Sequence, residues 1–384
     1  MALHFDTSEL ASRRRRAGDA MAAAGLDGLL MFRQESMYYL SGYDTFGYVF
    51  FQCLFMDPDG HLTLLTRAPD LRQAHHTSVI KDIRIWIDGP DADPAGELLR
   101  ILEDLGCRGK RLGVEWEAYG LTARNGQRLS AALEGFCDLV EASELVSRLR
   151  LIKSPAEIAY VRRAGELADD AYDEAVSLAA PGVFEGDILA AMHGAVFRGG
   201  GDYPGNEFII GSGRDALLCR YFSGRRNLSE RDQLTLEWAG AYRHYHAAMM
   251  RTFVLGPPSR RQRFLYEAAA EALEAVKEAI RPGNTFGQAF DAHARVFDSH
   301  GLGQHRLNAC GYSLGATFSP SWMDWPMLYH GNPVLFEAGI VVFCHMILFD
   351  SEAEIAMTLG ETILVGEDAH QRLSRSPLDL VVTG

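Results

Sequence analysis

One carboxylate stands inside an apolar run at Gln233-Leu234-Thr235-Leu236-Glu237-Trp238-Ala239, and two imidazoles follow closely at His244 and His246. Strand side chains alternate faces, so Thr235, Glu237 and Ala239 share one face while Leu234, Leu236 and Trp238 share the other. On the return strand His244, His246 and Ala248 lie together. An acid in such a strand must be neutral, paired or put to use, because burying an unpaired charge is costly. Two readings of Glu237 follow: a structural ion pair with Arg220 or Arg251, or a catalytic carboxylate. For each histidine a hydrogen-bonded structural role stands as open as a catalytic one.

Signatures of several other chemistries are missing. The chain has no Gly-x-Gly-x-x-Gly after a strand, no phosphate-binding loop, no His-Glu-x-x-His and no Gly-x-Ser-x-Gly. Lysine occurs only at 81, 110, 153 and 277, which argues against a Schiff-base mechanism. The six cysteines (Cys53, Cys107, Cys137, Cys219, Cys310 and Cys344) are scattered without a Cys-x-x-Cys pair. That pattern speaks against structural zinc and a disulfide framework, and for buried thiols in a reducing cytoplasm. With 37 basic and 51 acidic residues the formal charge is −14, so neither nucleic acid nor an anionic membrane is expected as a partner. The one basic run, Arg13 to Arg16, reads as a solvated helix face. No apolar run reaches the roughly 20 residues that span a bilayer, and the first residues lack the apolar stretch of a secretory signal, so a cytoplasmic location is expected.

The elements that must position these groups fall into two parts of the 384-residue chain. Over residues 1–150 helix and strand signals alternate: helix 9–25, strand 27–32, a hairpin over 50–66 turning at Asp57-Pro58-Asp59-Gly60, helix 93–105, strand 111–115 and helix 122–134. This alternation implies a mixed sheet covered by helices, an α/β (α+β) class. A boundary follows near 150. Ser154, Pro155 and Glu157 form a capping-box start for a long helix ending at Ala180-Pro181-Gly182. In the second part, 151–384, helices are expected at 184–198, 259–280 and 286–300. Strands are expected at 207–212, 233–240, 242–254, 339–350 and 353–366.

Five segments of this second part carry a resemblance when taken in order. They are Lys153-Ser154-Pro155-Ala156-Glu157-Ile158, Gly211-Ser212-Gly213, the hairpin ending Arg251-Thr252-Phe253, Glu337-Ala338-Gly339, and Gly360-Glu361-Thr362-Ile363-Leu364-Val365. The chain resembles the creatinase and aminopeptidase P family over nearly its whole length. The resemblance implies a creatinase-like N-terminal domain (1–150) followed by a catalytic domain with the pita-bread fold (151–384), and a homodimer in which one subunit's N-terminal domain closes its partner's pocket.

Peptidases of that family hold two metal ions with two aspartates, one histidine and two glutamates. Laid on this chain, those positions hold Glu237, Ala248, Tyr312, His345 and Gly360, and the histidine that assists peptidases is replaced by Arg220. Such a set cannot hold two ions, so the resemblance implies a metal-free pocket without cofactors. Metal-free relatives include creatinases, which keep the histidine that Arg220 replaces here, and ectoine hydrolases, which the stretch from Tyr39 to Tyr48 also resembles. The implied activity is hydrolysis of a small cyclic amidine carboxylate, ectoine or hydroxyectoine, with Glu237 as nucleophile. His345 or His246 would move the proton and Glu361 would serve as a second carboxylate. Arg220 would bind the substrate carboxylate. Tyr312, Trp322, Trp325, Tyr43 and Phe46 would line the pocket, the tryptophans by cation–π contact. The alternatives are creatinase-like or other cleavage of a non-peptide C–N bond, or a binding protein that has lost catalysis.

Overall fold

A computed structural model describes residues 3–218, 220 and 225–383. Cys219 lies outside the described residues. The chain forms two compact units, Met1–Arg150 and Leu151–Gly384.

In the N-terminal unit the order is α1 (Thr7–Ala23), β1 (Gly28–Met31), α2 (Gln34–Ser41), β2 (Cys53–Met56), β3 (Leu62–Arg67), α3 (Leu71–Thr77), β4 (Asp82–Trp86), α4 (Pro94–Asp104), β5 (Arg111–Val114), α5 (Ala123–Leu133), β6 (Asp138–Glu141) and α6 (Leu145–Leu151). The sheet runs β4-β3-β2-β1-β5-β6, with β1-β2 and β2-β3 antiparallel and the other pairs parallel. One apolar cluster joins Met21, Leu29, Met31 and Leu54, and another joins Leu30, Leu65, Leu112 and Leu129. Because β1 contributes alternate residues to both, they lie on its two faces. Asp93 caps α4 by accepting from the Gly96 N–H, and Thr122 caps α5 by accepting from the Asn125 N–H.

The basic run of α1 is not simply solvated. Arg13 is buried, lies over the rings of Phe5 and Tyr39, and pairs with Glu9. Arg14 donates to the Leu40 carbonyl and Arg16 to the Leu149 carbonyl, while Arg15 is exposed. The guanidiniums are used to close the carbonyl ends of α2 and α6. Helix α2 itself escapes the sequence pattern because nearly all its residues are buried, which erases the polar stripe that marks a surface helix.

The C-terminal unit contains α7 (Pro155–Leu178), α8 (Glu185–Arg198), β7 (Ile209–Ser212), β8 (Asp232–Tyr242), β9 (Tyr245–Leu255), α9 (Arg260–Ala279), α10 (Phe286–Ser299), β10 (Ala309–Ser313), β11 (Asp324–Tyr329), β12 (Val341–Asp350), β13 (Ile355–Val365), β14 (His370–Arg372) and β15 (Val381–Thr383). Its sheet is ordered β11-β10-β12-β13-β9-β8-β7, with β14 added to β13 and β15 to β9. The expected two-domain mixed α/β architecture with a pita-bread second half is what the chain adopts.

Long helices cover one face of this sheet. The capping box of α7 forms as expected, with Ser154 and Glu157 exchanging bonds. Gly240 is required where α7 crosses β8, since a Cβ there would sit 1.9 Å from the Ala164 carbonyl oxygen. Beside it Trp238 donates its indole N–H to the Ala168 carbonyl at 2.8 Å. A second core joins α9 and α10 to Val342, Cys344, Met346 and Leu348 of β12. The turn joining β8 to β9 puts Arg243 and His244 at positive φ, 52° and 63°. The Asp202 carboxylate accepts from the His244 N–H and the ring stacks on Phe318, contacts that offset the left-handed backbone. Among the described residues no helix is long and apolar enough to cross a membrane.

Candidate active site

Strand register assembles the site. Ile209 lies opposite Glu237, Glu237 opposite Met250, Met250 opposite Gly360 and Gly360 opposite His345. Directly paired residues point to the same side of a sheet, so this row spans β7, β8, β9, β13 and β12 on one face. Phe343, two residues from His345, shares that face and pairs with Tyr312 of β10. The opposite side carries Trp238 and Cys344 under the helices. Glu237 and Tyr312, 75 residues apart in sequence, meet with the Tyr312 hydroxyl donating to Oε1 at 3.3 Å.

Glu237 is partly exposed on this face. Burial pushes its carboxyl up to about 7, while the Arg220 charge and the Tyr312 hydroxyl pull in the opposite sense. Arg220 is exposed, and its charge also acts on Tyr312 and His345. Among the described residues it is the cation whose charge reaches Glu237, Tyr312 and His345. It does not form the bidentate partner of a buried Glu237. Arg251, the other partner considered, points to the reverse side.

His345 is buried, and burial lowers its imidazole to about 4, with Arg220 acting in the same direction. It is neutral at pH 7 and its Nδ1 has no hydrogen-bond partner. His246 is also lowered to about 4, chiefly by burial and then by His244. Its surroundings correct the expectation that it moves protons. Nε2 accepts from the Gly205 N–H at 2.8 Å and Nδ1 lies 3.2 Å from the Thr317 hydroxyl. Both nitrogens are committed to holding the 201–206 segment and the 317 strap, which is the structural role left open for it.

Glu361 is a second correction. It pairs with Cys344, not with the Gly360–His345 row, so it projects from the reverse face. There it is fully buried and bound by Arg251 at 3.2 Å and Arg372 at 2.6 Å. It is a structural anion, sealed off from the Glu237 face by the thickness of the sheet.

The aromatic expectations divide. Trp322 is 1% exposed and spends its indole N–H on the Tyr312 oxygen at 2.8 Å, so it supports Tyr312 and does not offer a face to a cation. Its backbone N–H is held by Asn206 Oδ1. Trp325 packs against the apolar core beneath α9 and α10. Tyr43 is fully buried in the N-terminal unit, with its hydroxyl shared between Gln52 and Thr66. Burial raises that hydroxyl to about 12, and the side chain has no surface left for a substrate. Phe46, in the same unit, is 71% exposed. Sequence reasoning missed Met250 and Phe343, the apolar walls between Glu237 and His345. Phe343 was findable as the residue two before His345.

The chemistry of the donor set decides how a metal would fare here. Of the five positions at which the resemblance placed ligands, Ala248 and Gly360 offer no side-chain donor, and the Tyr312 proton is turned toward Glu237. Nor is there room at 360, where an added Cβ would meet the Phe343 ring at 2.9 Å and the Met250 Cβ at 3.0 Å. Glu237 and His345 alone do not make a two-ion site. Among the described residues the only cluster of three metal-ligating groups is Asp57, Asp59 and His61, at the β2–β3 turn of the N-terminal unit.

Comparison with known proteins adds lineage to this geometry. A model described as "Metallopeptidase family M24" matches residues 159–367, and one described as "Creatinase/Prolidase N-terminal domain" matches 13–152. A Sinorhizobium fredii protein named "Uncharacterized hydrolase/peptidase y4tM" is 30% identical, with 99% of each chain covered. Ectoine hydrolase from Halomonas elongata is 28% identical over 100% of this chain and 99% of its own. Among solved structures, dipeptidase PepE from Mycobacterium ulcerans superposes with a TM-score of 0.85 at 24% identity, covering 98% of this chain and 99% of the other.

Proposed function

From the premise that this chain belongs to metallopeptidase family M24, we propose that it is a hydrolase that works without the metals of that family, opening a cyclic amidine carboxylate such as ectoine or hydroxyectoine. The observation that carries this reading is Glu237: a carboxylate raised to about 7 on a face where the metal-ligand positions hold Ala248, Tyr312 and Gly360. The full-length relationship to an ectoine hydrolase supports the substrate class. Dipeptidases are also among the relatives, but their ligand set is the feature this face lacks.

An amidinium carbon already carries positive charge, so a carboxylate can attack it with no Lewis acid to polarise it. Glu237 Oε2 forms a bond to that carbon and the C=N π pair moves onto nitrogen. One ring C–N bond then opens. Water gives a proton to the departing nitrogen, and the hydroxide displaces Glu237. The remaining water proton ends on the freed amine, so amidinium and one water yield an amide and an ammonium. His345, neutral and with a free Nδ1, is suited to pass the water proton. Arg220 faces the substrate carboxylate.

The test is turnover by EDTA-treated protein of known metal content against ectoine, hydroxyectoine and creatine, with Xaa-Pro dipeptides as controls. Ring opening at full rate without metal is the expected result. Dipeptide cleavage that requires stoichiometric zinc, manganese or iron would replace this reading with a peptidase.

A further inference from the structure

Tyr312 and Trp322 were expected to line a cation pocket, yet the bond between them points to a different job. We propose that Trp322 is a positioning residue: its indole N–H occupies one side of the Tyr312 oxygen and turns the phenol's own proton onto Oε1 of Glu237, leaving Oε2 as the oxygen that meets the substrate. This deepens the function proposed above and rests on Glu237 being the reacting carboxylate.

An indole N–H can only donate, so at 2.8 Å the Tyr312 oxygen must be its acceptor. A phenol proton prefers the ring plane, with two positions available. With the indole proton on that oxygen, the phenol proton goes to Glu237 Oε1, which lies 3.3 Å away and accepts it. The two bonds run in one direction, tryptophan to tyrosine to carboxylate, and each polarises the next. The components are held firmly. Trp322 is buried and tied through its backbone to Asn206. The Tyr312 ring rests edge-on to Phe343 at 5.5 Å and beside His345 at 5.7 Å. Burial and the neighbouring Glu237 charge keep the phenol protonated throughout the working range. Among the described residues Arg220 and Tyr312 act on Glu237, His345 lies in the same row of the face, and β7 and β9 contribute Ile209 and Met250. A donor fixed on Oε1 favours the ionised carboxylate and singles out its second oxygen.

The test compares Trp322→Phe, Tyr312→Phe and the double variant. Three readouts are taken: kcat and KM on ectoine, the pH dependence of kcat/KM, and the Glu237 carboxyl titration by infrared difference spectroscopy without substrate, with Glu237→Gln as reference. For Trp322→Phe we expect a roughly 10-fold fall in kcat, KM within about twofold, and a carboxyl titration about half to one pH unit higher. Tyr312→Phe should move the same quantities at least as far, and the double variant should match Tyr312→Phe alone. In Tyr312→Phe the Trp322 indole N–H resonance should move upfield on losing its acceptor, a reading that does not depend on Trp322→Phe folding. An unmoved carboxyl titration in folded Tyr312→Phe, or an unmoved indole resonance, overturns the proposal. So do losses that multiply in the double variant. If ectoine is not turned over but the titration and the resonance both move, the relay stands and the substrate assignment falls.

Discussion

Glu115 at the end of β5 and Glu237 in the middle of β8 are both carboxylates that burial pushes up to about 7. Their surroundings differ. Glu115 is fully buried and accepts from the Phe32 N–H at 3.0 Å, the Arg33 N–H at 2.9 Å and the Ser36 hydroxyl at 2.5 Å. Those donors sit at the start of α2, so the side chain serves that helix as a remote cap. Glu237 has one donor among the described residues, Tyr312, and a second oxygen left over on a face with Arg220 and His345. A raised carboxyl reports a low-dielectric setting in either unit. The number of donors already spent on it separates a structural acid from one with an oxygen still available.

The sharpest way to break this contrast is Glu237→Gln. We expect turnover to fall by about 10³-fold or more with the fold intact, because nothing else on the face replaces a nucleophile. A variant with native activity would put Glu237 in the same structural class as Glu115. The pH dependence supplies a second arm. A carboxyl raised from 4.5 to about 7 binds its proton more tightly folded than unfolded, so its contribution to stability falls as pH rises through that window. Removing it should therefore raise Tm more at pH 8 than at pH 5, as thermal melts at the two pH values would show.

Next in size is Glu115→Ala. Its three donors would be left buried without an acceptor, at a cost of about 3 kcal/mol. Chemical denaturation should show that loss, while kcat per folded molecule stays near native. A variant as stable as the native protein would mean that water can serve the start of α2 just as well. The smallest effect expected is that of Arg220→Ala. Losing the cation that faces Glu237 should raise KM for a substrate carboxylate about 10-fold, with little change in melting temperature. A level KM would place the carboxylate anchor elsewhere.

Much of the fold was legible because it is written locally. The Ser154–Glu157 capping box, the Asp93 cap and the period-two pattern of β8 and β9 each lie within a few neighbouring residues, whereas the turn between those strands falls at 243–244, later than the strand expected from 242, and takes His244 out of the return strand. Short elements were harder to read. Helix α2 is buried almost all round, and β10 and β11 are a brief pair with an irregular register. The site was legible only by halves. Glu237, Arg220 and His345 were named and do share influence on one face. Glu361 and His246 were named for the same chemistry and serve structure instead.

The sequence alone determined which side chains could do chemistry, where helices begin, and that Glu237 interrupts an apolar strand. Tertiary structure decided which of those groups meet. Pairing between strands far apart in the chain sets the face each residue occupies, and a step of one residue reverses it. Gly360 therefore joins the row with Glu237 and His345, while Glu361 beside it turns to Arg251 and Arg372 on the other side. The same long-range register, propagated through β8, β9, β13, β12 and β10, brings the Tyr312 hydroxyl to Glu237, an outcome no local window contains.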